Sequence, residues 1–259
     1  MRNIRIVARL DVKAPNLVKG IQFEGLRKIG DPHQFAKKYY LQGVDEIYYE
    51  DIVASLYDRN GLFDLIEKTT SDIFVPVTVG GGLRTIEDVS RALRFGADKV
   101  SINSAAIKRP KLISEVAARF GSQAMVLSIQ AKRTNSGWEA YFDNGREHSG
   151  IDAVQWALEG EKLGAGELVV ASVDQEGTGN GYDVELMRAV TEIVKIPVVA
   201  SGGMGKLDHI RDVAENGRID ALAIARSIHY DIFTIQEVRT YCQRSGIPVR
   251  HFEDDFFNE

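Results

Sequence analysis

Eight short runs rich in β-branched and aromatic residues alternate with longer segments of helical period, and this alternation constrains the fold more than any other feature. The runs are Arg5 to Leu10, Glu46 to Asp51, Val75 to Val79, Lys99 to Asn103, Met125 to Gln130, Glu167 to Val173, Val198 to Ser201 and Ala221 to Ala225. Between them lie helical stretches such as Asp31 to Gln42, Thr85 to Phe95, Lys111 to Phe120, Ile151 to Leu163 and Val184 to Val194. In Thr85 to Phe95, Ile86, Val89, Ala92 and Leu93 mark one apolar helical face. Parallel strands need crossovers of this length, so the pattern predicts an α/β protein built from repeated βα units. Eight units in 259 residues fit a TIM (βα)8 barrel, and the absence of a linker or low-complexity tract makes residues 1–259 one expected domain.

Glycine or proline marks six helix-to-strand joints, at Gly43-Val44-Asp45, Val75-Pro76, Gly96-Ala97-Asp98, Gly164-Ala165-Gly166, Ile196-Pro197 and Gly217-Arg218-Ile219. Glycine there permits the left-handed residue that ends many helices. The chain also repeats itself. Asp11 and Gln130, Gly81 and Gly202, and Asp51 and Asp174 are separated by 119, 121 and 123 positions, so two half-barrels of four βα units each are expected.

The functional face of such a barrel is the carboxyl end of its strands. Two glycine-rich loops fall there, Val79-Gly80-Gly81-Gly82 and Ser201-Gly202-Gly203-Met204-Gly205, each ahead of a helix. Glycine lets backbone N–H groups approach a phosphate, and a helix start adds a positive dipole end; alternatively the glycines only make tight turns. Asn103 and Ser104 could complete the first cradle, and Gly177 with the loop after the eighth run the second. Two anion sites across one mouth imply a substrate with a phosphate at each end. Asp11 stands at a strand end close to Lys13 and Lys19, where a carboxylate can act as general acid or base. Its repeat-mate Gln130 cannot titrate, so no symmetric two-carboxylate mechanism operates. Asp51, Asp174 and Glu176 add acidity to the same rim, with structural and functional readings both open.

Arg5, Glu46, Lys99 and Glu167 each begin a strand run; they either neutralise one another across the barrel floor or are unrelated solvated residues. Lys plus Arg total 32 against 37 for Asp plus Glu, a net charge of −5 that disfavours nucleic acid as a partner. The five histidines lack metal-ligand spacing, so no metal site is predicted. Cys242 is the only cysteine, which excludes an internal disulfide and suits a reducing compartment. No run approaches the roughly 18 apolar residues of a membrane span, and MRNIRIV lacks the core of a signal peptide, so a cytoplasmic location away from membranes is expected.

Several strings carry a family resemblance when taken in order: Leu10-Asp11-Val12-Lys13, Val18-Lys19-Gly20, Gly30-Asp31-Pro32, Thr78-Val79-Gly80-Gly81-Gly82, Gly96 through Asn103, Phe120-Gly121-Ser122-Gln123, Gly177-Thr178 with Gly181-Tyr182-Asp183, and Ala200-Ser201-Gly202-Gly203. The chain resembles the HisF-type cyclase subunits of imidazole glycerol phosphate synthase over roughly residues 3 to 250. The resemblance implies a glutaminase partner of the HisH type. Ammonia from it would convert a two-phosphate ribulosyl-formimino ribotide into imidazole glycerol phosphate and aminoimidazole carboxamide ribotide, with no cofactor.

By position, the resemblance makes Asp11 the catalytic acid/base. It assigns one phosphate to Lys19, Gly82, Asn103 and Ser104 and the other to Gly177 and Gly203, with Arg226 nearby. Arg5, Glu46, Lys99 and Glu167 match a charged ammonia gate, Thr78 and Ser101 residues along the ammonia path, and Asp98 one that communicates with the glutaminase. The chain departs from the family pattern at Gln130, where the second catalytic aspartate stands, at Arg9 for a cysteine, at Arg226 for a serine and at Glu176 for an aspartate. Loss of one member of an acid/base pair commonly costs roughly 10²–10⁴-fold in rate. The departures therefore leave an alternative open, an altered paralogue conducting ammonia from a glutaminase to a sugar amidotransferase of surface polysaccharide biosynthesis. An isomerase of related two-phosphate type leaves the four-charge gate unexplained.

Overall fold

A computed structural model describes residues 3–54 and 63–252. Its strands are β1 (Arg5–Lys13), β2 (Asn16–Ile21), β3 (Glu24–Gly30), β4 (Glu46–Asp51), β5 (Val77–Gly80), β6 (Lys99–Ile102), β7 (Met125–Thr134), β8 (Gly137–Phe142), β9 (Glu147–Asp152), β10 (Glu167–Ser172), β11 (Val198–Ser201) and β12 (Ala221–Ile224). Eight of them form a closed parallel barrel in the order β1-β4-β5-β6-β7-β10-β11-β12, with β12 pairing back onto β1. The expected (βα)8 architecture is therefore present, its eight strands matching the eight runs within a few residues at each end.

Strand alternation sorts side chains into two cores. Ile6, Ala8 and Leu10 of β1 are buried against the surrounding helices, while Val7 joins Tyr48, Val126, Val169, Val199, Ala221 and Ala223 inside the barrel. The helices start where their sequence supplies a cap. Asp31 accepts the Gln34 N–H ahead of Pro32–Leu41, and Thr85 and Asp88 form a reciprocal capping box ahead of Ile86–Arg94. Gly164 ends Ala153–Leu163 in the left-handed conformation, as expected. After Asp208–Gly217 that conformation falls instead on Arg218, at φ 52°. Gly217 is needed for space, because a Cβ there would lie 3.0 Å from Val213 and 3.1 Å from Met187.

β1 and β7 run past the expected ends at Leu10 and Gln130, and each continues into an antiparallel hairpin, β2–β3 after β1 and β8–β9 after β7. The hairpins occupy equivalent places in the two half-barrels. Their tips meet over the mouth: Phe23, in the β2–β3 turn, packs with Ala171 and Val173, and a Cβ on Gly145 of the β8–β9 turn would lie 3.1 Å from the Phe23 ring.

Candidate functional site

The charged residues that open the strands form a ring across the barrel floor. Arg5 bonds to Glu46 at 2.7 Å and also to Glu167, while Lys99 Nζ lies 2.8 Å from Glu46 and 2.7 Å from Glu167. Two cations and two anions thus alternate, so neither buried carboxylate is left unpaired. Thr78 Oγ1 donates to Glu46 Oε1 at 2.5 Å, extending the ring inward from β5. Asp98 stands outside the ring with one oxygen on the Val77 N–H at 2.8 Å, which pins the start of β5.

Above the apolar collar of Val7, Val126, Val169 and Val199 the lumen becomes polar again. Arg9 is 1 % exposed, and its guanidinium sits near the Tyr48 and Phe23 rings, 5.5 and 5.7 Å from their centroids. It donates to Asp11 Oδ1 at 3.0 Å and to Ser201 Oγ at 3.1 Å. The other Asp11 oxygen accepts from Lys19 Nζ at 2.6 Å, and Lys19 also pairs with Glu176. Burial alone would raise the Asp11 carboxyl, but the Lys19 and Arg9 charges outweigh it and hold it well below the usual carboxylate range. Lys19 is correspondingly raised, its burial outweighed by Asp11 and Glu176. Asp11 is therefore an ion-paired carboxylate in the folded chain.

The mouth carries a cavity of about 260 Å³. Gly81, Gly82, Asn103 and Ser104 line one side, and Gln130 and Glu50 its inner end. Gly82 adopts φ 72°, open to glycine at little cost. The Asn103 and Ser104 side chains already have protein partners. Asn103 Nδ2 donates to the Ser128 and Tyr141 carbonyls at 3.0 and 3.1 Å, and Ser104 Oγ accepts the Asp143 N–H at 2.9 Å. These bonds tie the β8–β9 hairpin to the cradle. Arg84, Lys108 and Arg109 bring positive charge to the rim.

Lys19, grouped with this cradle by resemblance, does not line the cavity; its ammonium is drawn across the mouth to Asp11 and Glu176. The second glycine-rich site, with Gly177, Gly203 and Arg226, is a narrow cleft of only about 10 Å³. Glycine is required there: a Cβ at Gly203 would lie 1.9 Å from the Gly181 carbonyl and one at Gly177 2.3 Å from that of Gly20.

Two lumen residues went unremarked in the sequence, Tyr48 and Glu50. Glu46, Tyr48 and Glu50 alternate along β4, so one inward side chain carries the other two with it. The Tyr48 hydroxyl donates to Glu50 and lies 2.9 Å from Ser101 Oγ. Burial pushes the Glu50 carboxyl up to about 7, against the lowering effect of Arg9 and Tyr48. Gln130 Oε1 is buried at the cavity wall and accepts no hydrogen bond.

The family model described as "Histidine biosynthesis protein" matches residues 5–234. The imidazole glycerol phosphate synthase subunit HisF of Legionella pneumophila is 57 % identical over 209 residues, covering 80 % of this chain and 99 % of that protein. The HisF subunit of a Nostoc species is 46 % identical over 254 residues, covering 96 % and 98 %. That of Myxococcus xanthus is 46 % identical over 246 residues, covering 95 % and 97 %. The chain belongs to the histidine biosynthesis protein family. Within it, the chain is of the HisF type. The floor ring and the mouth cavity are thus features of a HisF-type barrel, and no helix among the described residues is long and apolar enough to cross a membrane.

Proposed function

We propose that this single-barrel chain is the ammonia-using synthase subunit of a glutamine amidotransferase. It would make imidazole glycerol phosphate and aminoimidazole carboxamide ribotide from the two-phosphate ribulosyl-formimino ribotide. The observation that carries this reading is the polarity of the barrel. A ring of Arg5, Glu46, Lys99 and Glu167 closes one end, and a cavity edged by Gly82, Asn103 and Ser104 opens at the other. A HisH-type glutaminase docks on the floor face, Asp98 relays its state, and ammonia passes the ring along Thr78 and Ser101. Asp11 serves the reacting end, and Gly177, Gly203 and Arg226 take the second phosphate. The relatives named as subunits of imidazole glycerol phosphate synthase support a two-chain enzyme. A reducing, cytoplasmic setting suits the buried thiol of Cys242.

One observation favours a second reading. Gln130 cannot transfer a proton, and both Asp11 oxygens are held by Arg9 and Lys19. An altered paralogue would keep the gate and deliver ammonia to another acceptor, a sugar amidotransferase of surface polysaccharide biosynthesis. The purified chain, given ammonium salt and the two-phosphate ribotide, decides between them. Imidazole glycerol phosphate formed by the wild type and abolished by Asp11→Asn supports the synthase. No wild-type turnover, with turnover appearing in Gln130→Asp, overturns it in favour of the paralogue.

A further inference from the structure

Gln130 leaves a HisF-type reaction without a carboxyl at that position of β7, yet another carboxyl reaches the same cavity from β4. Glu50 is 7 % exposed, and its side chain lines the cavity together with Gln130 and Ser101. Backbone makes room for it: β5 pairs Gly80 directly with Glu50, and a Cβ on Gly80 would lie 2.5 Å from Glu50 Oε2. Glu50 also stands on the axis that leads up from the floor ring through Tyr48. The other carboxyls nearby have charged or backbone partners, although Asp143 keeps Oδ1 buried without one. Asp11 is ion-paired to Arg9 and Lys19, Asp51 Oδ1 caps the Val53 and Ala54 N–H groups at 3.0 Å, and Asp143 pairs with Lys108.

We propose that Glu50 is the proton-transferring catalytic residue at the cavity, taking the proton that incoming ammonia must lose. The inference rests on the synthase reading. As the ammonia nitrogen bonds to the acceptor's carbonyl carbon, the carbonyl π pair moves onto oxygen. The Glu50 carboxylate then removes a proton from the new N–H⁺ and returns it to that oxygen, and a second such transfer releases water and leaves the imine. Atoms and charge balance without any oxidant or metal. A carboxyl that changes state near neutral pH is matched to this cycle, because proton-transfer efficiency peaks when the catalytic pKa lies close to the working pH.

The groups facing Glu50 do not titrate in the same window. Arg9 is raised and Asp11 lowered, so both stay charged through neutrality, and burial and the Glu50 charge push Tyr48 well above its ordinary value. Asp51 is raised by burial and opposed by its two N–H donors. Ser101 and Gln130 carry no titrating group. The test is ammonium-dependent turnover of the two-phosphate ribotide by the full chain, with rates expressed per free ammonia across pH 5.5 to 8.5, about 1.5 units either side of the Glu50 value.

Wild type is expected to show a rise centred near 7. Glu50→Gln loses roughly 10²–10⁴-fold in kcat and loses that rise, with KM little changed. Glu50→Asp recovers part of both, and Asp51→Asn keeps the rise. Wild-type turnover that falls less than about threefold in a folded Glu50→Gln chain, or keeps its rise near 7, overturns the role of Glu50 and leaves the synthase reading standing. Should Glu50→Gln fail to fold, Glu50→Asp carries the test, and an unaltered pH profile in it overturns the proposal. A wild-type chain with no turnover overturns the synthase reading and this step with it.

Discussion

Arg9 and Asp11, two positions apart on β1, meet inside the barrel with Nε 3.0 Å from Oδ1, although neither side chain is more than 4 % exposed. The pairing follows from strand geometry, since residues i and i+2 share a face. Arg9→Ala takes the donor from Asp11 Oδ1 while Lys19 still holds Oδ2, so the carboxylate keeps one of its two cations. The variant is expected to lose about 1.5–3 kcal/mol in urea unfolding at pH 7, the range for a hydrogen bond to a charged group. Asp11 is depressed in the folded state, so its contribution is present above the unfolded carboxylate value and fades as pH falls through the folded one. The gap between Arg9→Ala and wild type should therefore narrow below pH about 4.

Glu50 carries the opposite sign. Its folded carboxyl is raised from 4.5 to about 7, so the folded chain holds a proton that the unfolded chain releases earlier. The stability this contributes is fully present below 4.5 and is lost as pH rises to about 7, by about 3 kcal/mol in total. Glu50→Gln should abolish this loss, gaining on wild type between pH 5 and pH 8 in paired denaturant titrations. Parallel curves for the two chains would contradict the desolvation of Glu50 inside the lumen.

The barrel was legible because its strands and helices obey periods of 2 and 3.6 residues, and because Asp31, Thr85 and Gly164 sit where caps are needed. The β2–β3 hairpin was not. Its turn places Gln22 and Phe23 at φ 51° and 63°, where Asn-Gly would be the usual signal. Tertiary contacts hold it: Gln22 N–H donates to the Glu176 carbonyl at 2.7 Å, and Phe23 lies over Arg9. The floor ring could be named as four strand-opening charges, but its pairing depends on strand order around the barrel. Arg9 and Glu50 were harder still, since a charged residue in a strand reads as solvent-facing until the inward face is known.

Trp138 ties the β8–β9 hairpin to the barrel in addition to its ladder with β7. The indole N–H donates to Asp183 at 2.8 Å, beneath an Arg133 guanidinium 4.6 Å from the ring centroid. Trp138→Phe keeps most of the ring but leaves one oxygen of the largely buried Asp183 without that donor, a loss of about 1.5–3 kcal/mol. The hairpin delivers Asp143 and Asn144 to the cavity, and Asn103 grips it at the Tyr141 carbonyl. Amide exchange should accelerate across 137–152 in Trp138→Phe, with the amides of Val198–Ser201 unchanged. Equal acceleration in both segments would mean that the indole stabilises the whole barrel.

Lys99 offers the sharpest test of the floor ring. Its ammonium bridges Glu46 and Glu167, on the second and sixth barrel strands, and Arg5 alone spans the same two carboxylates from the opposite side. Lys99→Ala opens half of the ring and leaves the mouth more than a strand length away, since Lys99 begins β6 and Asn103 follows its end. On the proposed function, ammonium added to the solution reaches the mouth directly, whereas ammonia made by a docked glutaminase passes the floor. Glutamine-dependent product formation by the complex should change severalfold in Lys99→Ala, about 1 kcal/mol or more, while ammonium-dependent formation stays within twofold. Equal effects on both would remove the gate and leave the ring as a structural closure of the barrel.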